Sequence, residues 1–343
     1  LDRWGKISAD GKFVVFVTCS KNFAPTASGY NYHVYLHNMA TGTTDMIDTG
    51  LSGAMPNDTA YEMSTDISAD GRYVVFGSNA TNLVSNGHNG IFVRDTKLNT
   101  TTLVSDSYNG TTPNGTSDRP SISCDGSLIV FSSTASNLVS GDTNSLKDVF
   151  LVNRIGGYSI KDLTLNANAE SGATYGWPLT AKVSCDGSTV LLSSKATNLA
   201  SGVTGTNVHS YVYDTYDETL ELIDQTTGGT LANGSVQDEA ISGDGNLVVY
   251  QSPATNLDSV SSDTNSTSDI FIRDRSAGTT YRISKQNSTT ELSSGGTEQS
   301  APAISPDGRY VTYISGAANA VSGDTNNLLD VFVTPTGLTP TNY

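Results

Sequence analysis

Six stretches of the chain share one pattern: an apolar residue, then Ser-x-Asp-Gly, then a run of β-branched and aromatic residues. They read ISADGKFVVF, ISADGRYVVF, ISCDGSLIVF, VSCDGSTVLL, ISGDGNLVVY and ISPDGRYVTY, with aspartates Asp10, Asp70, Asp125, Asp186, Asp244 and Asp307 spaced 55 to 63 residues apart. Short apolar runs bounded by turn residues predict strands, and Asp-Gly between two of them predicts a tight hairpin, because glycine supplies the positive φ. A second alternating run follows in every unit (VYLHN, IFVRD, DVFLVN, YVYD, DIFIRD, DVFVT), and in most units a third follows a Gly/Thr turn, as in TTTLVS and TTYRIS. No helical period competes with these runs.

Each unit thus predicts about four short strands, and the units fall at 1–50, 51–106, 107–166, 167–225, 226–286 and 287–343. One four-stranded antiparallel sheet cannot bury both of its faces, whereas sheets arranged radially cover one another and leave few edges. The expectation is an all-β fold, a single-domain six-bladed β-propeller with four-stranded antiparallel blades. The last unit offers no convincing fourth strand, since GLTPTNY carries breakers. How the ring closes is left open by the sequence.

The loop between the second and third predicted strands carries Asp-x-Asn-x-x-x-Asp in three units: Asp142, Asn144 and Asp148; Asp263, Asn265 and Asp269; Asp324, Asn326 and Asp330. Hard oxygen donors at alternating positions suit Ca²⁺, which takes six to eight oxygens at about 2.3–2.6 Å. With no His or Cys in the string, zinc is disfavoured. The other three loops are degraded, and the fourth has Val203 where the first aspartate would stand. A catalytic metal would occur once beside a distinct acid or base, so recurrence at equivalent places argues for up to three structural Ca²⁺ ions. The alternative is that Asp and Asn only form Asx-turns.

The chain has 34 acidic and 18 basic residues, a net charge of −16. Such a balance repels nucleic acid and anionic membranes, and three divalent ions would relieve part of it. No apolar stretch reaches the roughly 18–20 residues needed to cross a bilayer, so no membrane insertion is expected. The chain begins at Leu1 without a basic-plus-apolar leader. It reads as a processed form or a piece of a longer polypeptide, with secretion inferred from composition. Cys124 and Cys185 occupy equivalent turns and Cys19 follows a strand. A bridge needs Cα atoms within about 7 Å, and equivalent turns of neighbouring repeats usually stand further apart. Three small buried side chains are therefore expected, with a Cys124–Cys185 disulfide as the alternative.

The strings ISPDGRYVTYIS and ISADGRYVVFGSNATNLV, followed by GDTN…DVFV-type loops, resemble the TolB-like propeller repeat in its calcium-loop variant. The resemblance covers the whole chain in six copies. It implies the fold and leaves the function open, since such propellers serve as binding modules, substrate gates, envelope components and, in a few cases, enzymes.

The Asp-Gly aspartates and the Asn that recurs about seven residues after each apolar run (Asn22, Asn82, Asn137, Asn198, Asn256, Asn319) occur in every unit and read as turn formers. A localised function should lie where the repeat breaks. Trp4, Ser64, Arg119, Thr180, Asp238 and Ala301 take equivalent places before the first strands, at one mouth of the channel. By propeller geometry that mouth shares its face with the calcium loops. The variable connections add Tyr61, Tyr175 and Trp177, aromatic surfaces able to stack on a sugar or anchor a partner.

Motifs for catalysis are missing: there is no G-x-S-x-G, no H-E-x-x-H and no phosphate loop before a helix. His33, His37, His88 and His209 are dispersed, and nothing favours an acid pair such as Glu62 with Asp238. Asn-x-Ser/Thr sequons, Asn57, Asn114 and Asn233 among them, permit glycosylation without arguing for it. The reading is a secreted or cell-surface (periplasmic or extracellular) non-enzymatic propeller that binds an unknown protein or cell-envelope component. The alternative is a carbohydrate-binding or carbohydrate-active protein that uses Trp4, Arg119, Tyr175, Trp177 and Asp238.

Overall fold

The computed structural model describes residues 4–20, 22–23, 31–165, 167–169, 181–258, 263, 265, 267–286, 290–293, 302–324 and 328–338. Every Ser-x-Asp-Gly segment forms the same turn. The serine Oγ donates to the aspartate Oδ1 at 2.6–2.8 Å. That Oδ1 also accepts the N–H two residues on, and the serine Oγ accepts the N–H that opens the next strand. All six carboxylates are thus engaged within their own turns, as expected of Asx-type capping.

The strands form six antiparallel meanders among the described residues, five of four strands and one of three. Sheet one is Trp4–Ile7, Phe13–Thr18, His33–Asn38 and Thr43–Met46; sheet two is Ala60–Ile67, Tyr73–Ser78, Gly90–Asp95 and Thr100–Leu103. Sheet three is Ser117–Ile122, Leu128–Ser133, Asp148–Asn153 and Ser159–Asp162; sheet four is Lys182–Val183, Thr189–Ser194, His209–Asp214 and Leu220–Leu222. Sheet five is Glu239–Ile241, Leu247–Ser252, Asp269–Asp274 and Thr279–Arg282; sheet six is Ala303–Ile304, Tyr310–Ser315 and Asp330–Pro335. One short 3₁₀ turn, Leu51–Gly53, is the only helical element described, and no helix is long and apolar enough to cross a membrane.

The backbone divides into two compact units, residues 1–166 with 181–183 and residues 167–180 with 184–343. Within the first unit, Val74, Phe76 and Phe92 of sheet two pack on Val15, Val17 and Val34 of sheet one. Val75, Ile91 and Val93, on the opposite face of sheet two, pack on Ile129, Phe131 and Phe150 of sheet three. Within the second unit, sheet five is covered in the same way by Leu191 and Val212 of sheet four and by Val311 and Tyr313 of sheet six. This two-sided burial explains why the second and third strands are near-continuous apolar runs instead of half-buried alternations. Cross-strand aromatic pairs add to sheets two, three and five: Phe76–Phe92, Phe131–Phe150 and Tyr250–Phe271 stack with centroids 5.7–5.9 Å apart, each worth about 0.5–1.5 kcal/mol beyond burial. Sheet six is open by contrast, with Val331 and Val333 at 72% and 63% exposure.

Successive turns touch. Asp10 N–H donates to Ala69 O at 3.3 Å and Ala69 N–H to Cys124 O at 2.9 Å; in the other unit Asp186 N–H donates to Gly243 O at 3.0 Å and Gly243 N–H to Pro306 O at 2.9 Å. The turn glycine also receives a strand residue of the preceding sheet: a Cβ on Gly71 would stand 2.2 Å from the Phe13 ring, and one on Gly126 2.3 Å from Tyr73. The expectation of three buried thiols is corrected at two of the three cysteines. Cys124 and Cys185 are disulfide-bonded, and Cys19 is free. Within each unit the x positions of consecutive Ser-x-Asp-Gly turns stand closer than the sequence reading assumed.

Candidate metal centres and the variable face

The third-sheet loop brings Asp142 and Asp148 together with a residue the loop motif does not contain, Asp162 at the end of the fourth strand. One carboxylate oxygen from each lies within 4.8 Å of the others, and all three residues are buried. Asp148 opens the third strand opposite Ser133. Its Oδ1 accepts Thr164 Oγ1 at 2.8 Å and Asn144 Nδ2 at 3.4 Å, while its Oδ2 is buried with no partner. Asp162 Oδ1 accepts Thr164 N–H at 2.8 Å, and its Oδ2 is likewise buried and unpartnered. No basic side chain among the described residues pairs with any of the three.

Burial, reinforced by the Asp148 charge, pushes the Asp162 carboxyl up to about 7. Asp148 is raised as well, by burial first, with Asp142 adding to it. Two orphaned carboxylate oxygens in a buried, all-oxygen cluster fit a hard divalent cation, whose charge would offset a desolvation cost that no basic side chain among the described residues meets. Asn144 has a different task here. Its Oδ1 accepts Leu146 N–H at 2.8 Å and its own N–H donates to Asp142 at 3.3 Å, so it makes the Asx-turn that presents both aspartates.

The fifth-sheet loop gathers Asp263, Asp269 and Glu291 with carboxylate oxygens equally close. Asn265 again accepts a backbone N–H two residues on, from Thr267 at 2.8 Å. Arg282 lies among these acids, 1% exposed at its side chain, 3.3 Å from Asp269 Oδ2 and bonded to Glu291 Oε1. Asp269 is nonetheless pushed up to about 7, burial outweighing Arg282. In the sixth loop Asp324 and Asp330 are only half-buried, and Asn326 lies outside the described residues. The degraded loops are filled otherwise. His33 Nδ1 meets Asp48 Oδ2 at 3.1 Å in sheet one, and His209 Nδ1 meets Asp224 Oδ2 at 2.7 Å in sheet four, both pairs buried.

Asp162 and Glu291 escaped the motif search because they lie outside the loops, on or after the weakly patterned fourth strands. A signal emerges once the strand registers are known. The positions equivalent to Asp162, set by register against the third strand, are Met46, Leu103, Leu222 and Arg282. Two charged residues stand there among apolar ones.

On the variable face, Arg119 and Ser64 do come together. Both lie where the first strand of their sheet slips register in a β-bulge, and Arg119 N–H donates to Ser64 Oγ at 3.1 Å. Arg119 holds φ 55°, a strained value for a bulky side chain. With Tyr61, Asn79 and Asp118 they line a cavity of about 420 Å³. Burial lowers the Arg119 guanidinium from its ordinary value, with Asp118 opposing, and Tyr61 OH donates to Asn79 Oδ1 at 3.1 Å. Trp4 opens the first strand of sheet one, and Asp238 O accepts Gln251 N–H at 2.9 Å just before sheet five. Tyr175, Trp177, Thr180 and Ala301 lie outside the described residues.

No protein-family model matches this sequence, nor does any curated protein. Solved structures do. The β-propeller domain of the trilobed protease from Pyrococcus furiosus matches 100% of this chain and 84% of its own, at 13% identity and TM-score 0.52. TolB from Acinetobacter baumannii is 15% identical with TM-score 0.48; the match covers 96% of this chain, which spans 65% of that protein's length. Oligogalacturonate lyase from Vibrio parahaemolyticus is 13% identical with TM-score 0.40, covering 96% of this chain and 88% of that one. At such identities the comparison speaks to fold alone. With antiparallel sheets packed face to face within each unit, the chain has the fold of a β-propeller.

Proposed function

We propose that the protein is a secreted or cell-surface, non-enzymatic six-bladed propeller, stabilised by up to three Ca²⁺ ions in its Asp-x-Asn-x-x-x-Asp loops, that acts as a protein-interaction or cell-envelope structural module. The observation that carries the metal reading is the pair of buried, unpartnered oxygens on Asp148 and Asp162. Their cluster is closed in by strands and hydrogen-bonded on its outer side by Thr164, which suits an ion that braces the loop better than one that meets a substrate. Disulfide-bonded Cys124 and Cys185 accord with an oxidising compartment outside the cytosol. Millimolar affinity suffices for Ca²⁺ in such surroundings. A partner would engage the bulged face around Tyr61 and Arg119, where the repeat symmetry breaks.

The test is to titrate Ca²⁺ into chelator-treated protein while following thermal unfolding. Binding to the folded state alone raises stability by about 2.7 kcal/mol at a hundredfold excess over Kd, so Tm should climb by several degrees. An unchanged melt removes the stabilising role and returns the loops to simple turns.

A further inference from the structure

The strand registers superpose the sheets residue by residue, and they show one buried position solved by different chemistry in each. The third strand opens with His33, Gly90, Asp148, His209 and Asp269 in sheets one to five. Facing it, two residues after the fourth-strand register position, stand Asp48, Ser105, Thr164, Asp224 and Ser284. In sheets two to five this facing residue has a common duty. It accepts the backbone N–H of Ile91, Val149, Ser210 and Ile270 at 2.9–3.0 Å.

What varies is charge. Sheets one and four pair a ring nitrogen with a carboxylate inside the fold. Sheet two has Gly90, where Ser105 Oγ lies 2.4 Å from the place a Cβ would take, so this position carries no charge. Sheets three and five share an acid opposite a hydroxyl, with Thr164 on Asp148 and Ser284 on Asp269 at 2.8 Å each. They share the loop motif too. They differ at the fourth-strand residue, which is Asp162 opposite Phe150 in one and Arg282 opposite Phe271 in the other. Sheet three thus has a cluster of three acids with no cation, whereas sheet five, with Arg282 at the Asp162 position and Glu291 as its third acid, has a cluster whose cation is tethered to the chain.

We infer that the two loops differ in metal requirement: Asp142, Asp148 and Asp162 of sheet three hold a divalent cation, whereas in sheet five the Arg282 guanidinium occupies the cation's place between Asp269 and Glu291. A buried acid cluster needs one compensating charge centre, and a second cation beside a buried guanidinium would face direct repulsion. This inference rests on the reading that these loops bind Ca²⁺ at all, and it narrows which loop does.

The experiment measures bound Ca²⁺ per chain, together with Tm in chelator and in Ca²⁺, for wild type, Asp162→Asn, Asp269→Asn and Arg282→Gln. Asp162→Asn should lower the count by one and remove most of the Ca²⁺-dependent rise in Tm. It should also melt at or above wild type in chelator, since one repelling charge is gone; this opposite sign separates a lost ligand from a damaged fold. Asp269→Asn should leave the count unchanged, and Arg282→Gln should raise it by one. Loss of one ion in both Asp162→Asn and Asp269→Asn would overturn the distinction while leaving calcium binding intact. A wild-type protein that binds no Ca²⁺ would overturn both.

Discussion

Asp162 and Asp269 hold their protons far above the ordinary carboxylate range, each up to about 7 and each chiefly through burial. Asp48 and Asp224 are raised by burial as well. An unfolded aspartate titrates near 3.9. Between roughly pH 4 and 7 the metal-free native state therefore binds more protons than the unfolded chain, and its stability falls as pH rises through that window. Asp10 and Asp307, lowered to about 2 by their own turns, act in the opposite sense and lose their contribution only as pH falls below that window. In chelator, Tm should thus decline from pH 5 to pH 8, and saturating Ca²⁺ should flatten or reverse the trend. A chelated protein that gains stability over that range would contradict the electrostatics described. The turn aspartates were legible in the sequence because their partners lie within two residues, at Ser8 and Lys12 for Asp10. Asp162 was not, because its partners Asp142 and Asp148 lie across a strand reversal, and a lone acid in SIKD carries no motif.

At the scale of an element, the recurring Asn is a staple between two loops of one sheet. Asn82, Asn137, Asn256 and Asn319 each accept a backbone N–H, from Asn57, Asn114, Asn233 and Ser293, at 2.7–3.0 Å. Each also donates Nδ2 to a carbonyl of the same loop, at Met55, Thr112, Leu231 and Glu291. Its presence in every unit made a structural role readable; its span of more than twenty residues did not show. Removing it leaves backbone groups without partners, so Asn137→Ala should cost about 1–3 kcal/mol, read from denaturant unfolding. A cost within experimental error would deny the staple its weight. The loop side answers in kind: Nδ2 of Asn57, Asn114 and Asn233 donates to Thr81, Ser136 and Thr255. These are the nitrogens that a glycan on those sequons would occupy, so glycosylation there would compete with the staple.

For the molecule as a whole, the strand pattern and the six repeats were readable because each sheet is written as nearly the same sequence, with sheets two and five buried on both faces by neighbours of like kind. Sheet six shows three strands among the described residues, and the stretch GLTPTNY that follows Asp330–Pro335 lies largely outside them. The oxidation state of Cys124 and Cys185 was not readable, because it depends on how closely separate turns approach. Closing a loop of that length restrains the unfolded chain by about 4 kcal/mol in the entropic account. Cys124→Ser, or reductant on the wild type, should therefore lower stability by about 2–4 kcal/mol, with equal melts before and after reduction as the contrary result.

Hairpin tips at a protein surface ordinarily trade their amide protons with solvent quickly, because nothing beyond the hairpin restrains them. Here the amides of Asp10, Ala69, Asp186 and Gly243 are held by the carbonyl of the following turn. Their deuterium uptake must therefore wait on the parting of adjacent sheets. Four loop amides become local clocks for sheet separation, and their slow exchange would time how often neighbouring layers within each unit breathe.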